Sequence, residues 1–84
     1  MASAAAAECA RAAGSLELQL RALSGLGDAH YAGGRLVSSY EHFRECVTLG
    51  RKHRFVQIEA ANLPMMAFCA FLMGKLGESL NHAR

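Results

Sequence analysis

The amino-acid sequence predicts an all-α fold of antiparallel helical hairpins, and three observations lead to this class. Strong helix formers such as Ala, Leu, Glu and Arg are abundant, whereas β-branched residues are few and there is a single proline. Apolar residues recur at intervals of three and four along several stretches. Glycine pairs such as Gly33-Gly34 separate these stretches, as expected where a chain turns between two helices.

Composition limits the classes of partner that the chain is expected to bind. With 84 residues, 52% of them apolar and 19% charged, the chain has the balance of one folded domain. A net charge of +2 is too small for a nucleic-acid footprint, and the RKHR run at 51–54 is expected to be the solvated end of a helix. The longest apolar run, 63–74, is shorter than the ~20 residues that span a bilayer. We therefore expect a cytoplasmic protein with no nucleic-acid or membrane partner.

The first half of the chain predicts two helices before the glycine turn. A helix over 2–14 is expected to end at Gly14, and Ser15 is expected to cap the next one. A stripe of leucines at helical spacing follows, at Leu16, Leu20, Leu23 and Leu26. Gly25 and Gly27 interrupt this stripe, and each costs about 1 kcal/mol relative to alanine. We therefore expect a second backbone to pass too closely there for a side chain.

The next helix, over about 36–49, is predicted to be amphipathic. Its apolar face consists of Leu36, Tyr40, Phe43 and Val47, next to the small residues Ser39 and Cys46. Gly50 is expected to end it. The three cysteines, Cys9, Cys46 and Cys69, are odd in number and lie among apolar neighbours, so they are expected to be small, reduced core residues.

The last third of the chain contains Pro64, which leaves two possibilities for residues 55–73. Either one kinked helix passes through the proline, or a short helix ends near Ala61 and another begins near Asn62. We favour the kinked, continuous helix because apolar residues keep helical spacing through the proline. The glycines of 74–77 predict a turn, and 78–84 a further helix.

An internal repeat appears when Gly34 is aligned with Gly74, at an offset of 40 residues. Leucines 23 and 36 then fall on leucines 63 and 76, and Ser39 falls on Ser79. The single domain, 1–84, thus divides into a partial unit at 2–14, a complete unit at 15–50 and a truncated unit at 55–84.

On these residues the chain resembles the tetratricopeptide repeat family, whose helix-turn-helix pattern is W-x2-L-G-x2-Y…A-x3-F…P. The matching positions are Leu23, Leu26, Gly27, His30, Gly34, Ser39 and Phe43, with Gly74 at the turn of the next unit. Arg51 replaces the final proline, and the period exceeds the usual one of about 34 residues. The resemblance implies hairpins stacked as a short right-handed superhelix. The lengthened units are similar to repeats in multidomain bacterial nucleotide cyclases and LuxR-type or STAND regulators.

The same resemblance implies a groove in which a partner peptide or helix lies. Carried over position by position, the groove residues would be Arg21, Ser24, Asp28, Tyr31, Pro64, Phe68, Phe71 and Leu72. Alternatively, Phe68 and Phe71 are ordinary core residues covered by a neighbouring helix. Asp28 stands where a subset of the family that binds peptide carboxylates has asparagine, so that activity is not expected.

The sequence predicts no catalytic residue, metal or cofactor. His42 and Cys46 lie one helical turn apart, which supplies at most two metal ligands, and no third group marks a Cys/His catalytic pair. The predicted function is a non-catalytic protein-protein interaction module that self-associates or belongs to a longer array. The alternative is a regulatory segment of a multidomain nucleotide cyclase or transcription regulator.

Overall fold

The computed structural model describes residues 4–82, and within them the chain forms three α-helices and no strand. The helices are α1 (Ala4–Ala32), α2 (Leu36–Lys52) and α3 (Val56–His82). The all-α prediction is therefore confirmed. Loops of three residues, 33–35 and 53–55, reverse the chain each time, so α2 is antiparallel to its two neighbours and α1 and α3 run in the same direction.

The predicted turn at Gly33-Gly34 is confirmed. Gly34 takes a positive φ of 78°, and the backbone N–H of Arg35 donates to the carbonyl oxygen of His30 at 2.8 Å. At the second turn the left-handed residue is Arg54, with a φ of 60°, rather than a glycine. The prediction that Gly50 ends α2 is wrong, because the helix continues to Lys52.

Helix ends predicted at two other glycine sites are also wrong. α1 continues through Gly14 and Ser15, so 2–14 is not a separate helix, and α3 continues through 74–77. A Cβ at Gly14 or Gly74 would meet no described atom within 4 Å, so neither glycine is in contact with a neighbouring helix among the described residues. An internal glycine costs about 1 kcal/mol, which is less than the loss of several backbone hydrogen bonds at two new helix ends. Residues 2–3 and 83–84 lie outside the described residues.

The core lies between α2 and its two neighbours. The buried apolar side chains are Leu20 from α1, Phe43, Cys46 and Val47 from α2, and Ile58 and Cys69 from α3. Leu16 and Leu23 pack partly against this core, whereas Leu26 is 49% exposed and leaves the predicted stripe incomplete. The predicted continuity of α3 through Pro64 is confirmed. The predicted amphipathic character of α2 is confirmed by its buried face.

α1 and α2 approach closely at Gly27, but the group that excludes a side chain there is the ring of Phe43 rather than the predicted second backbone. A Cβ on Gly27 would lie 2.7 Å from Cε1 of Phe43, and the hydroxyl of Ser39 donates to the carbonyl oxygen of Gly27 at 2.8 Å. The same expectation is wrong for Gly25, which is exposed and would place a Cβ in open space among the described residues. Of Gly25 and Gly27, only Gly27 therefore lies at the contact between α1 and α2.

Buried polar contacts hold the three helices in register. The thiol of Cys46 donates to the carbonyl oxygen of Leu20 at 3.3 Å, and Cys69 Sγ lies 3.6 Å from Ser39 Oγ. Both thiols are free and buried, as predicted, whereas the side chain of Cys9 lies outside the described part. At the opposite end Gly50 permits α3 to approach, because a Cβ there would lie 3.2 Å from the backbone nitrogen of Glu59.

The molecule is elongated, with extents of 67 × 20 × 16 Å. α2 has 17 residues, about 25 Å of helix, whereas α1 and α3 have 29 and 27. Because the long helices are parallel and α2 lies between them, α1 projects beyond α2 at one end and α3 projects at the other. These projections place much of α3 outside the core.

Candidate protein-interaction face

The face shared by α1 and α3 brings together several residues predicted for one groove. The hydroxyl of Ser24 donates to Oδ1 of Asn62 at 2.8 Å. About two helical turns further along, the ring centroids of Tyr31 and Phe68 lie 6.0 Å apart. The seven-residue step from Ser24 to Tyr31 on α1 therefore matches the six-residue step from Asn62 to Phe68 on α3. The two helices run side by side along this face.

A cleft of about 300 Å³ occupies the first half of this face. Its lining consists of Arg21, Ser24, Gln57, Ile58, Ala61 and Asn62. Asn62 is 2% exposed, and its amide nitrogen donates to the carbonyl oxygen of Ile58 at 2.8 Å. Sequence reasoning considered Asn62 only as a possible helix start; its spacing of four from Ile58 inside an apolar stretch was the signal for a buried amide.

Charged groups of both signs border this cleft. Arg21 Nη2 lies 3.1 Å from Glu17 Oε1, one helical turn away on the surface of α1, and both side chains are about half exposed. Such exposed pairs contribute about 0.3–0.5 kcal/mol, so a partner can compete for the guanidinium at little cost. Asp28 is exposed on the same side of α1, between Ser24 and Tyr31. The groove residues of α1 therefore offer a polar surface.

The groove residues of α3 offer an apolar surface, which we name the α3 apolar face: Pro64, Phe68, Phe71 and Leu72. Phe68 is 44% exposed and Phe71 is 57% exposed, so the described residues leave much of both rings in solvent. The alternative that these rings are ordinary core residues does not hold within the described part. Nζ of Lys75 lies 5.7 Å from the centroid of the Phe71 ring, and places a cation at the edge of this apolar surface.

Near the turn between α1 and α2, one histidine from each helix lies against the other. The rings of His30 and His42 stack at 5.1 Å between centroids, and Nε of Arg35 donates to Nδ1 of His30 at 2.7 Å. Within the part of the chain that the structure describes, no three metal-ligating side chains form a cluster.

The remaining titratable contacts serve the packing of the helices. Burial, and secondly the carboxylate of Glu45, raise the pKa of the Cys46 thiol. A protonated thiol is a hydrogen-bond donor rather than a nucleophile. Glu59 is half-buried and accepts from Nε of Arg51 at 2.7 Å. This pair joins the end of α2 to the start of α3.

α3 also differs from the sequence expectation in its overall hydropathy. Over Val56–Glu78 it is long and apolar enough to cross a membrane, with a mean hydropathy of 1.4 in its most apolar window. Length and composition alone support this, and core helices of soluble proteins pass the same test. Within α3, however, Asn62 and Glu59 are bonded to α1 and α2.

No protein-family model matches the chain, and the comparisons with curated proteins and with solved structures give no match either.

Proposed function

We propose that this chain is a non-catalytic protein-interaction module of the tetratricopeptide type, which binds a protein or peptide partner along the α1–α3 face. The observation that carries this proposal is the exposed α3 apolar face beside the polar cleft at Arg21 and Asn62. Contiguous apolar surface with a charged border is characteristic of protein-binding sites. The crossing at Gly27 and Ser39, two positions of the repeat pattern, adds support from the resemblance.

The exposed apolar surface would supply part of the free energy of binding a partner. Phe68 and Phe71 together expose roughly 200 Å² of aromatic side chain, which on burial would contribute roughly 5 kcal/mol before the cost of association. Buried aromatic anchors of this kind dominate binding energy at protein interfaces. Polar contacts at Arg21 and Gln57 would add orientation to this apolar contribution.

The alternative function is a regulatory segment within a multidomain nucleotide cyclase or transcription regulator. The projecting ends of α1 and α3 favour this alternative, because the next repeat in an array would pack against them. In that case the α1–α3 face would serve a domain of the same polypeptide. The groove chemistry is the same in both functions.

Selection of peptides tests the proposal directly. The immobilised chain would be presented with a random peptide library displayed on phage, and an enriched peptide would be titrated by fluorescence anisotropy. We expect Phe71→Asp to weaken binding at least about tenfold, a loss of about 1.4 kcal/mol. The matched control is Val37→Asp, at an apolar side chain that is 62% exposed on α2 and should leave affinity within about twofold. Circular dichroism would verify that both variants fold.

Two results would contradict the proposal. The first is a library that yields no peptide above an unrelated helical protein. The second is an enriched peptide that binds wild type and Phe71→Asp equally, which would place binding elsewhere.

A further inference from the structure

We propose that the partner of the α3 apolar face is a second copy of this chain, whose α3 packs against it in the antiparallel direction. This inference rests on the proposed function, since it names the protein that the α1–α3 face binds. It adds a defined pairing of residues across a two-fold axis.

The spacing of residues on α3 fits a self-complementary helix pair. Pro64, Phe68, Phe71 and Lys75 follow one another at intervals of four, three and four, the spacing of a coiled-coil seam. An antiparallel pair that sets Phe68 opposite Phe71 of the second copy also sets Pro64 opposite Lys75 of the second copy. The two-fold axis makes each contact occur twice, as an isologous interface requires. The aromatic rings thus meet at the centre of the seam.

The charges at the border of the seam are complementary in this arrangement. Asp28 lies one turn after Ser24 and one turn before Tyr31, whose α3 partners are Asn62 and Phe68. Asp28 therefore stands at the level of residues 65–66 of α3, on the edge of the face. Lys75 of the second copy, opposite Pro64, falls at this same level.

Within a single chain this ion pair is out of reach. Tyr31, near the end of α1 at Ala32, lies beside Phe68. Lys75 lies seven residues further along α3, beyond the end of α1 and away from Asp28 of the same chain. The Lys75 ammonium instead lies over the exposed ring of Phe71 and within 3.6 Å of the Glu78 carboxylate, both on its own helix. A second copy would supply Lys75 with the carboxylate of Asp28, and Phe71 with an apolar neighbour.

A lipid surface fits the same face less well. The seam carries Lys75 at one end and is bordered by Asp28 at the other, so its insertion among acyl chains would bury charged groups of both signs. The seam from Pro64 to Lys75 is about 17 Å long, which makes an interface at the small end for specific protein complexes. We therefore expect reversible association with a dissociation constant in the micromolar range.

Sedimentation equilibrium of the full chain over micromolar to millimolar concentrations tests the inference. Wild type is expected to form a dimer, and Phe71→Asp is expected to be monomeric throughout. Asp28→Lys and Lys75→Asp should each weaken the dimer about fivefold or more, about 1 kcal/mol, by placing like charges together. The double variant, with both Asp28→Lys and Lys75→Asp, should restore the dissociation constant to within about twofold of wild type. Val37→Asp is again the control and should leave the dimer unchanged.

The outcomes separate this inference from the proposed function. A wild-type monomer at every concentration overturns the second copy as partner, while a selected peptide whose binding depends on Phe71 would still support the interaction module. A dimer that the charge exchange fails to restore overturns the antiparallel pairing. Sedimentation of monomeric wild type with phosphatidylglycerol vesicles, abolished by Phe71→Asp, would identify a lipid surface instead and overturn the inference.

Discussion

At Gly27 a single missing side chain sets the distance between two helices. A Cβ there would lie 2.7 Å from the ring of Phe43, a residue that is 1% exposed and packed in the core. We expect Gly27→Ala to lower the free energy of unfolding by up to about 2 kcal/mol, since overpacking costs about 1–3 and the gain in helix propensity returns about 1. Urea unfolding followed by circular dichroism measures this change.

Gly25 is the matched control for this substitution. It lies two residues away in the same helix, is exposed, and would place a Cβ at no described atom within 4 Å. Gly25→Ala should therefore raise the free energy of unfolding by about 0.5–1 kcal/mol, the helix propensity difference alone. Equal effects of the two substitutions would show that the crossing at Gly27 is not close in solution.

At Cys46 the chemistry of one thiol makes stability depend on pH. Its pKa is raised in the folded chain by burial and by Glu45, whereas unfolding returns it to about 8.5. A raised folded pKa contributes stability that is fully present below the unfolded pKa and is lost as pH rises through the folded pKa. We expect the free energy of unfolding to fall above about pH 8.5, by at most about 1.4 kcal/mol per pH unit.

The difference between wild type and Cys46→Ala isolates this contribution, because the other alkaline groups titrate in both proteins. Urea unfolding from pH 7 to pH 10 should give a difference that is constant near neutrality and shrinks at alkaline pH. A difference that stays constant up to pH 10 would mean that the Cys46 thiol is solvated in the folded chain.

At the scale of the element, the same residue type has opposite effects in helices and in turns. Gly14 and Gly74 lie inside continuous, exposed helix, whereas Gly34 holds a φ of 78°. We expect Gly14→Ala and Gly74→Ala each to raise stability by up to about 1 kcal/mol and to increase ellipticity at 222 nm. Gly34→Ala should lower stability by about 1–2 kcal/mol, because alanine is strained at that φ. If Gly14→Ala lowered stability instead, the helix would break at Gly14 as the sequence predicts.

These elements also show which helix boundaries the sequence can predict. The turn at Gly33-Gly34 was predictable because two adjacent glycines interrupt both flanking apolar stripes. The continuity of α1 through Gly14 was not, because one glycine costs so little that tertiary packing decides between a turn and a helix. A single glycine likewise predicts a helix end at Gly50, whereas in the structure Gly50 lies at the contact of α2 with α3.

The candidate site was predictable in its α3 half and less so in its α1 half. Exposure of Phe68 and Phe71 follows from an apolar stretch that is hydrophobic around more of its circumference than one neighbouring helix can cover. The bond between Ser24 and Asn62 depends on the register of two helices that are not consecutive in the chain, which periodicity does not encode. The membership of the chain in a repeat family remains a prediction from Leu23, Gly27 and Ser39 with their neighbours.

At the scale of the whole molecule, the chain is a rod with its core in the middle. The radius of gyration is 16.6 Å, whereas a compact domain of this length would have about 12 Å. The core residues run from Leu20 in α1 to Cys69 in α3 and leave both projecting ends outside it. The stability of the fold is therefore concentrated in the central hairpins, and the projecting ends are available for neighbours.

Two truncations test this distribution of stability. Removal of residues 1–13 should leave the melting temperature within a few degrees of wild type, because the described side chains within that range, such as Glu8 and Arg11, are exposed. Removal of residues 1–20 also deletes Leu20, which is 0% exposed and packs with Cys46 and Ile58. Loss of a buried leucine side chain costs about 3–5 kcal/mol, comparable with the total stability of a small domain.

Thermal melts followed by circular dichroism should therefore show a cooperative transition for the shorter truncation and none for the longer. The shorter truncation should also keep the concentration dependence of sedimentation seen in wild type, because the proposed seam lies on α3, at the opposite end of the rod from the start of α1. If removal of residues 1–13 abolished folding, the start of α1 would be part of the core. If it abolished association alone, α1 would pack against the second copy in place of α3.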